Sequence, residues 1–173
     1  MKITRTWAMP SKYTFQIKPI KELLQEEINL GLWIDPFSGG SNLATVTNDL
    51  NPKIQADYHL TAQAFLERFK DREVDGVLYD PPYSVRQVSE CYKKFGLTVT
   101  QETTRADWWT KHKIEIARVV KPGGKVISFG WNSGGIGKKL SFEIIRILLV
   151  PHGGIHHDTI CVVEQKTPDL FDG

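Results

Sequence analysis

The stretch Val77-Leu78-Tyr79-Asp80-Pro81-Pro82-Tyr83-Ser84 decides how the rest of the chain is read. The apolar run Val77 to Tyr79 meets a carboxylate, two prolines and an aromatic ring. An apolar run bounded by such breakers reads as a buried strand that stops at its carboxyl edge. Each proline fixes its own φ and lacks an N–H, so the turn is stiff and its carbonyls are free to accept. Two acceptors therefore stand side by side, the Asp80 carboxylate and the Pro81 carbonyl, next to the flat ring of Tyr83. That set suits a planar group bearing an –NH2. A strand-end turn capped by an aspartate reads the same residues without any ligand.

Working upstream, residues 32–34 form a short buried strand that ends at Asp35-Pro36-Phe37-Ser38-Gly39-Gly40-Ser41. A strand, an acidic residue and a glycine-rich turn are how nucleotide-type cofactors are met at the carboxyl edge of a parallel sheet. Residues 44–48 read as a second strand ending at Asp49, before the turn Leu50-Asn51-Pro52. A carboxylate there is placed to accept both hydroxyls of a ribose; an Asx turn is the competing reading. Pro19 opens a helix over 20–28, with Ile20, Leu23, Leu24 and Ile28 on one face and Gly31 as its stop. Residues 1–18 look irregular, with Trp7, Tyr13 and Phe15 either stacking on a ring or anchoring the arm to the core.

Between these turns lie a short strand at 58–60 and a helix at 62–69. Downstream, 85–95 is weakly helical, 96–105 is a polar loop, and Asp107 caps a helix through 120. Pro122-Gly123-Gly124 stops that helix, and a strand follows at 125–130. A short helix at 134–140 and two strands, 143–150 and 159–164, joined through His152-Gly153-Gly154, complete the pattern as an antiparallel hairpin. The tail 166–173 is expected to fray. Alternating strands and helices give a three-layer α/β sheet, mostly parallel, with Asp35, Asp49, Asp80 and Gly130 along one rim.

Composition excludes several classes. A chain of 173 residues with 40% hydrophobic and 24% charged content is expected to be a single globular domain spanning 1–173. A net charge of +2 gives no global field for nucleic acid, so any such binding needs a local patch. Arg86, Lys93, Lys94 and Arg105, with Lys138 and Lys139, are the candidate phosphate-contacting cations; solvated surface is the competing reading. Cys91 and Cys161 lack CxxC spacing and fit a reduced cytoplasmic chain. No stretch is apolar enough for a membrane span. His152, His156, His157 and Asp158 read as turn residues rather than metal ligands. Gly134-Gly135-Ile136-Gly137-Lys138 lacks the spacing of a phosphate loop, and Trp108-Trp109 reads as core.

Together the motifs Asp35-Pro36-Phe37-Ser38-Gly39, Asp49-Leu50-Asn51-Pro52 and Asp80-Pro81-Pro82-Tyr83 resemble those of the S-adenosylmethionine-dependent amino methyltransferases of DNA, adenine-N6 type. Arg118-Val119-Val120-Lys121-Pro122-Gly123-Gly124 resembles the helix-to-strand turn of that fold. Trp7-Ala8-Met9-Pro10 and the segment from His152 to Thr159 are similar to short methylases of phages and mobile elements. The resemblance covers about residues 7–165 and implies a Rossmann-like class I methyltransferase fold with S-adenosylmethionine as cofactor. It implies that Asp35, Phe37 and Gly39 hold the cofactor's methionine end, that Asp49 and Leu50 meet its nucleoside, and that Ser11, Tyr13 and Thr14 in an arm of residues 1–18 help close the pocket. Asp80, Pro81, Pro82 and Tyr83 would hold the target, with Tyr83 stacked on the flipped base.

Two positions differ from many relatives: Ser41 stands where a second glycine is common, and Thr61 where an acid meets the cofactor's adenine, a role Gln63 can take. No separate target-recognition domain is expected, so DNA is read by the residues around 84–106, by a homodimer or by a specificity partner. Cytosine-N4 in DNA, adenine in RNA, a protein amide and a non-catalytic binding module are the alternatives.

Overall fold

The computed structural model describes residues 1–100 and 107–168. In chain order the elements are strand β1 (Lys2–Arg5), helix α1 (Lys18–Glu27), strands β2 (Trp33–Asp35) and β3 (Val46–Thr47), and helix α2 (Ala62–Leu66). Strand β4 (Val74–Tyr79), helices α3 (Val85–Lys94) and α4 (Trp108–Val119), and strands β5 (Val120–Gly130), β6 (Phe142–Val150) and β7 (Thr159–Lys166) follow. The strands form one sheet in the order β1-β6-β7-β5-β4-β2-β3. Strand β7 runs antiparallel to β5 and β6, and the other pairings are parallel. The expected mostly parallel sheet with a C-terminal antiparallel hairpin is what the chain forms.

The period-2 alternation of buried strands sorts the core onto two faces. Trp33, Leu78, Ile127 and Phe129 pack with Ile20, Leu23 and Leu24 of α1 on one side. Their strand neighbours Ile34, Val77, Tyr79 and Val126 pack with Phe65 and Leu66 of α2 and with Ile116 and Val119 of α4 on the other. Three layers result, and the carboxyl ends of β2, β3, β4 and β5 share one rim.

Several expectations are corrected. Residues 1–18 are not irregular throughout: Lys2–Arg5 adds an edge strand to β6, far across the sheet from β2 and β3. The second strand shortens to Val46–Thr47, because Thr47 and Asp57 exchange hydrogen bonds that draw the chain into a turn. Tyr58 makes only a bridge to Asn48. Asp107 occupies the cap position of α4 without a side-chain cap bond. A single 3-10 turn, Lys138–Leu140, replaces the helix over 134–140. Strand β7 continues through Lys166, which is buried with its ammonium on the Ala117 and Val120 carbonyls at 2.7 and 2.9 Å. The rest of the expected tail from 169, and Arg105, lie outside the described residues. Among the described residues no helix is long and apolar enough to cross a membrane, and no cluster of metal-ligating side chains occurs.

Candidate active site

Strand β4 is buried up to Tyr79, so Asp80 is the first residue to reach the rim. Its Oδ1 accepts the Tyr83 hydroxyl at 2.5 Å, and the Thr14 hydroxyl lies close enough to the carboxylate to favour its charge. Burial raises the Asp80 carboxyl above its ordinary value, while the Tyr83 bond and the nearby Thr14 hydroxyl pull it back. The turn after it is fixed from both sides. Tyr83 N donates to Gln87 Oε1 at 2.6 Å, and Ser84 caps α3 through Gln87 N at 3.2 Å. Trp109 Nε1 donates to the Pro82 carbonyl at 2.9 Å, and the Pro81 carbonyl is without a hydrogen bond among the described residues.

The two prolines face different cavities. Pro82 lines one of about 240 Å³ with Phe37, Asp49, Leu50, Thr61 and Trp108. Pro81 lines another of about 340 Å³ with Tyr83, Trp109, Lys113 and Trp131. The Asp80 turn is thus the partition between a slot beside the glycine turn and a pocket walled by aromatic rings.

Asp35 is fully buried; its Oδ1 accepts Phe37 N at 3.0 Å and its Oδ2 has no partner among the described residues. Burial pushes this carboxyl well above its ordinary value, and the nearby Asp80 and Asp49 charges push the same way. Asp49 Oδ2 accepts Gly39 N at 2.9 Å and Oδ1 accepts Asn51 N at 2.8 Å. Each oxygen keeps a lone pair for a ligand hydroxyl. Asn48 stitches the two turns together, bonding Pro36 O and Leu60 O at 3.0 Å each.

Phe37, Asp49 and Leu50 line one slot, Asp35 and Gly39 adjoin it through their hydrogen bonds with Phe37 and Asp49, and Thr14 lies by Asp80 as an arm residue. Ser11 and Tyr13 are exposed; Ser11 Oγ accepts Tyr13 N and the Lys12 ammonium stands 4.9 Å over the Tyr13 ring, with no contact to the carboxylates among the described residues. Arg86 is exposed and paired with Glu90 at 2.8 Å, Lys93 is exposed, and Lys94 lines the smaller cavity.

Sequence reasoning missed the aromatic walls. Trp108 and Trp109 project about 100° apart on α4; their rings meet edge-on with centroids 5.1 Å apart, and Trp108 lines the slot while Trp109 lines the pocket. That angular offset was the available signal. His112, one turn on, is buried against Trp108 with ring centroids 4.2 Å apart, and burial holds it down to about 4. The glycine loop at 134–137 is also explained. Ile136 N and Gly137 N donate to the buried Glu164 at 2.6 and 2.9 Å, so a carboxylate already occupies the anion-binding backbone. Gly135, at φ +52, would bring a Cβ to 2.4 Å from that carboxylate.

Neither a protein-family model nor a curated protein matches the sequence. Solved structures do match. TrmN from Thermus thermophilus is 18% identical, with TM-score 0.54, over 87% of this chain and 49% of that one, so the chain spans about half its length. The Burkholderia thailandensis 1,6-didemethyltoxoflavin-N1-methyltransferase, solved with 1,6-didemethyltoxoflavin and S-adenosylhomocysteine, is 12% identical at TM-score 0.58, covering 87% and 78%. A protein solved with the Haloferax volcanii Trm112 methyltransferase activator is 10% identical at TM-score 0.59, covering 91% of each chain. The fold is that of the class I methyltransferases.

Within this methyltransferase fold the two departures acquire a local role. Thr61 caps α2 through Ala64 N at 3.2 Å, and Gln63 donates to Glu67 at 2.8 Å while its carbonyl oxygen is buried without a partner. Ser41 closes the glycine turn, its N donating to Ser38 O at 2.8 Å.

Proposed function

We propose that this chain transfers a methyl group from S-adenosylmethionine to the exocyclic N6 amine of adenine in DNA. The observation that carries the reading is Asp80 and the Pro81 carbonyl, without a hydrogen bond among the described residues, standing between the slot lined by Asp49 and Leu50 and an aromatic pocket. The residues present fit the cofactor. The buried Asp35 Oδ2, unpartnered among the described residues, and the neighbouring Asp49 carboxylate suit a ligand with a cationic end. Asp49 suits its ribose hydroxyls, and Leu50, Leu60 and Ala62 suit its flat ring. S-adenosylmethionine supplies an electrophilic methyl group when bound.

The chain's own residues do the rest. An adenine amine is a poor nucleophile because its lone pair is delocalised into the ring. Accepting one N–H at Asp80 and the other at the Pro81 carbonyl localises that pair on nitrogen and aims it across the partition. The ionised Asp80 is the stronger acceptor; burial opposes that form, and the Tyr83 and Thr14 hydroxyls favour it. No strong base is needed, since the nitrogen proton becomes acidic only as the new bond forms. Tyr83, Trp109 and Trp131 wall the pocket for a base taken out of its stack. Target reading belongs to the rim loops, a second copy or a specificity partner, and the site of action to the cytoplasm.

The test is transfer from methyl-labelled cofactor to DNA, followed by digestion and mass spectrometry. N6-methyldeoxyadenosine is expected. N4-methyldeoxycytidine, or label confined to RNA, would overturn the substrate; failure of the cofactor to bind would overturn the enzyme.

A further inference from the structure

One large apolar side chain on the rim has no role in the fold. Ile155 is 97% exposed in the turn between β6 and β7. Its chain neighbours Gly153, Gly154, His156, His157 and Asp158 are all exposed too. The turn stands at the mouth of the aromatic pocket. Gly130, which ends β5 in the pocket wall, pairs with Ile160 just after the turn. The His157 ring lies on Trp131, centroids 4.3 Å apart and 32° between planes, and Trp131 meets Tyr83 edge-on at 5.5 Å.

The root of this turn is fastened and its tip is free. Buried His152 sits with Nδ1 2.8 Å from Ala8 O and Nε2 2.8 Å from Thr159 Oγ1, and Ala8 N donates to Pro151 O at 3.1 Å. Trp7 lies against Gly153. Beyond that root, Gly153 and Gly154 take φ of +71 and +59, a conformation that side chains disfavour, and His156 N closes on Gly153 O at 3.3 Å. Ile155 is thus held out on a braced, polar turn.

At the tip of the turn Ile155 has only glycine and polar chain neighbours, a small apolar surface against the roughly 800 Å² on each side that a protein partner needs. It does match the gap, about one base thick, left when a base departs a duplex, and isoleucine is among the side chains proteins wedge between base steps. The geometry points to Ile155 as the wedge that enters double-stranded DNA when the target base leaves, with the Trp131–His157 pair as the shoulder beside it. This rests on the DNA reading above and adds the residue that opens the duplex.

Three oligonucleotides test it: an intact duplex, the same duplex with an abasic site opposite the target, and the single strand. Ile155→Ala is expected to lower kcat/KM on the intact duplex about tenfold or more, with the other two substrates unchanged. Ile155→Leu should restore it, and 2-aminopurine at the target position should brighten with wild type but not with Ile155→Ala. Equal loss on all three substrates, or loss on none, overturns the wedge while leaving the DNA reading intact. A changed oligomeric state in Ile155→Ala also overturns it, in favour of a contact between copies. Wild type inactive on all three DNAs removes the DNA reading and the wedge together.

Discussion

The Tyr83 phenol donates a hydrogen bond of 2.5 Å to Oδ1 of Asp80, so the ring that walls the pocket and the carboxylate at the end of β4 are one unit. On the proposed reading, an incoming amine competes with that hydroxyl for Asp80. Tyr83→Phe keeps the ring and deletes the donor, removing one of the two interactions that lower the Asp80 carboxyl. The acid limb of kcat should move to higher pH, with the rate at alkaline pH held within a few-fold. An acid limb that stays in place would show that Asp80 titration does not govern the rate.

Asp80→Asn should separate stability from activity. The folded carboxyl titrates above its ordinary value, so the stability it contributes is complete below that value and is lost as pH rises through the folded one. At neutral pH the ionised group therefore destabilises the fold. The asparagine variant should melt higher than wild type at neutral pH and lose that advantage near about pH 4. It should transfer no methyl groups yet bind the cofactor almost normally, whereas Asp49→Ala should weaken cofactor binding. Calorimetric titration of both variants checks the division, and equal losses of affinity contradict it.

Trp109 acts through the turn rather than on the reacting atoms. Trp109→Phe removes its bond to the Pro82 carbonyl, worth about 1 kcal/mol, and loosens the adjacent Pro81 carbonyl. The expected result is a lower kcat with unchanged cofactor affinity, because Trp108 and not Trp109 lines the slot. A matching loss of cofactor affinity would point to a general collapse of the rim.

The sheet was legible because each rim turn announces itself locally. Asp35 and Asp80 each follow an apolar run and directly precede proline, which a buried strand and its turn require, and Asp49 follows the β-branched Thr45-Val46-Thr47 with Pro52 three residues on. The walls were not legible, because they come from residues distant in sequence. Trp109 reaches Pro82, His157 reaches Trp131, and Glu164 reaches Gly137 only once β5 and β7 pair. Polarity misled at both ends of the chain: Lys2–Arg5 is a strand despite its charge because an open sheet edge tolerates exposed side chains, and Lys166 is buried because helix-end carbonyls need a donor.

His112 gives the fold an acid-side weakness beneath the cofactor slot. The ring is enclosed by Trp108 and Phe37, with Nδ1 3.3 Å from the Tyr79 hydroxyl, and burial holds its pKa at about 4 instead of 6.5. A base depressed in the fold contributes stability that is complete above its ordinary value and drains away as pH falls toward the folded one. The window is therefore about pH 6.5 down to 4, and the whole displacement is worth about 3 kcal/mol. Asp35 and Asp80, both raised, act with the opposite sign as pH falls, so wild type shows only the difference. His112→Gln keeps a polar partner for Tyr79 and removes the histidine's share. Its melting temperature should therefore rise relative to wild type as pH falls through that window; melting curves that stay parallel across it would mean that His112 does not control acid stability.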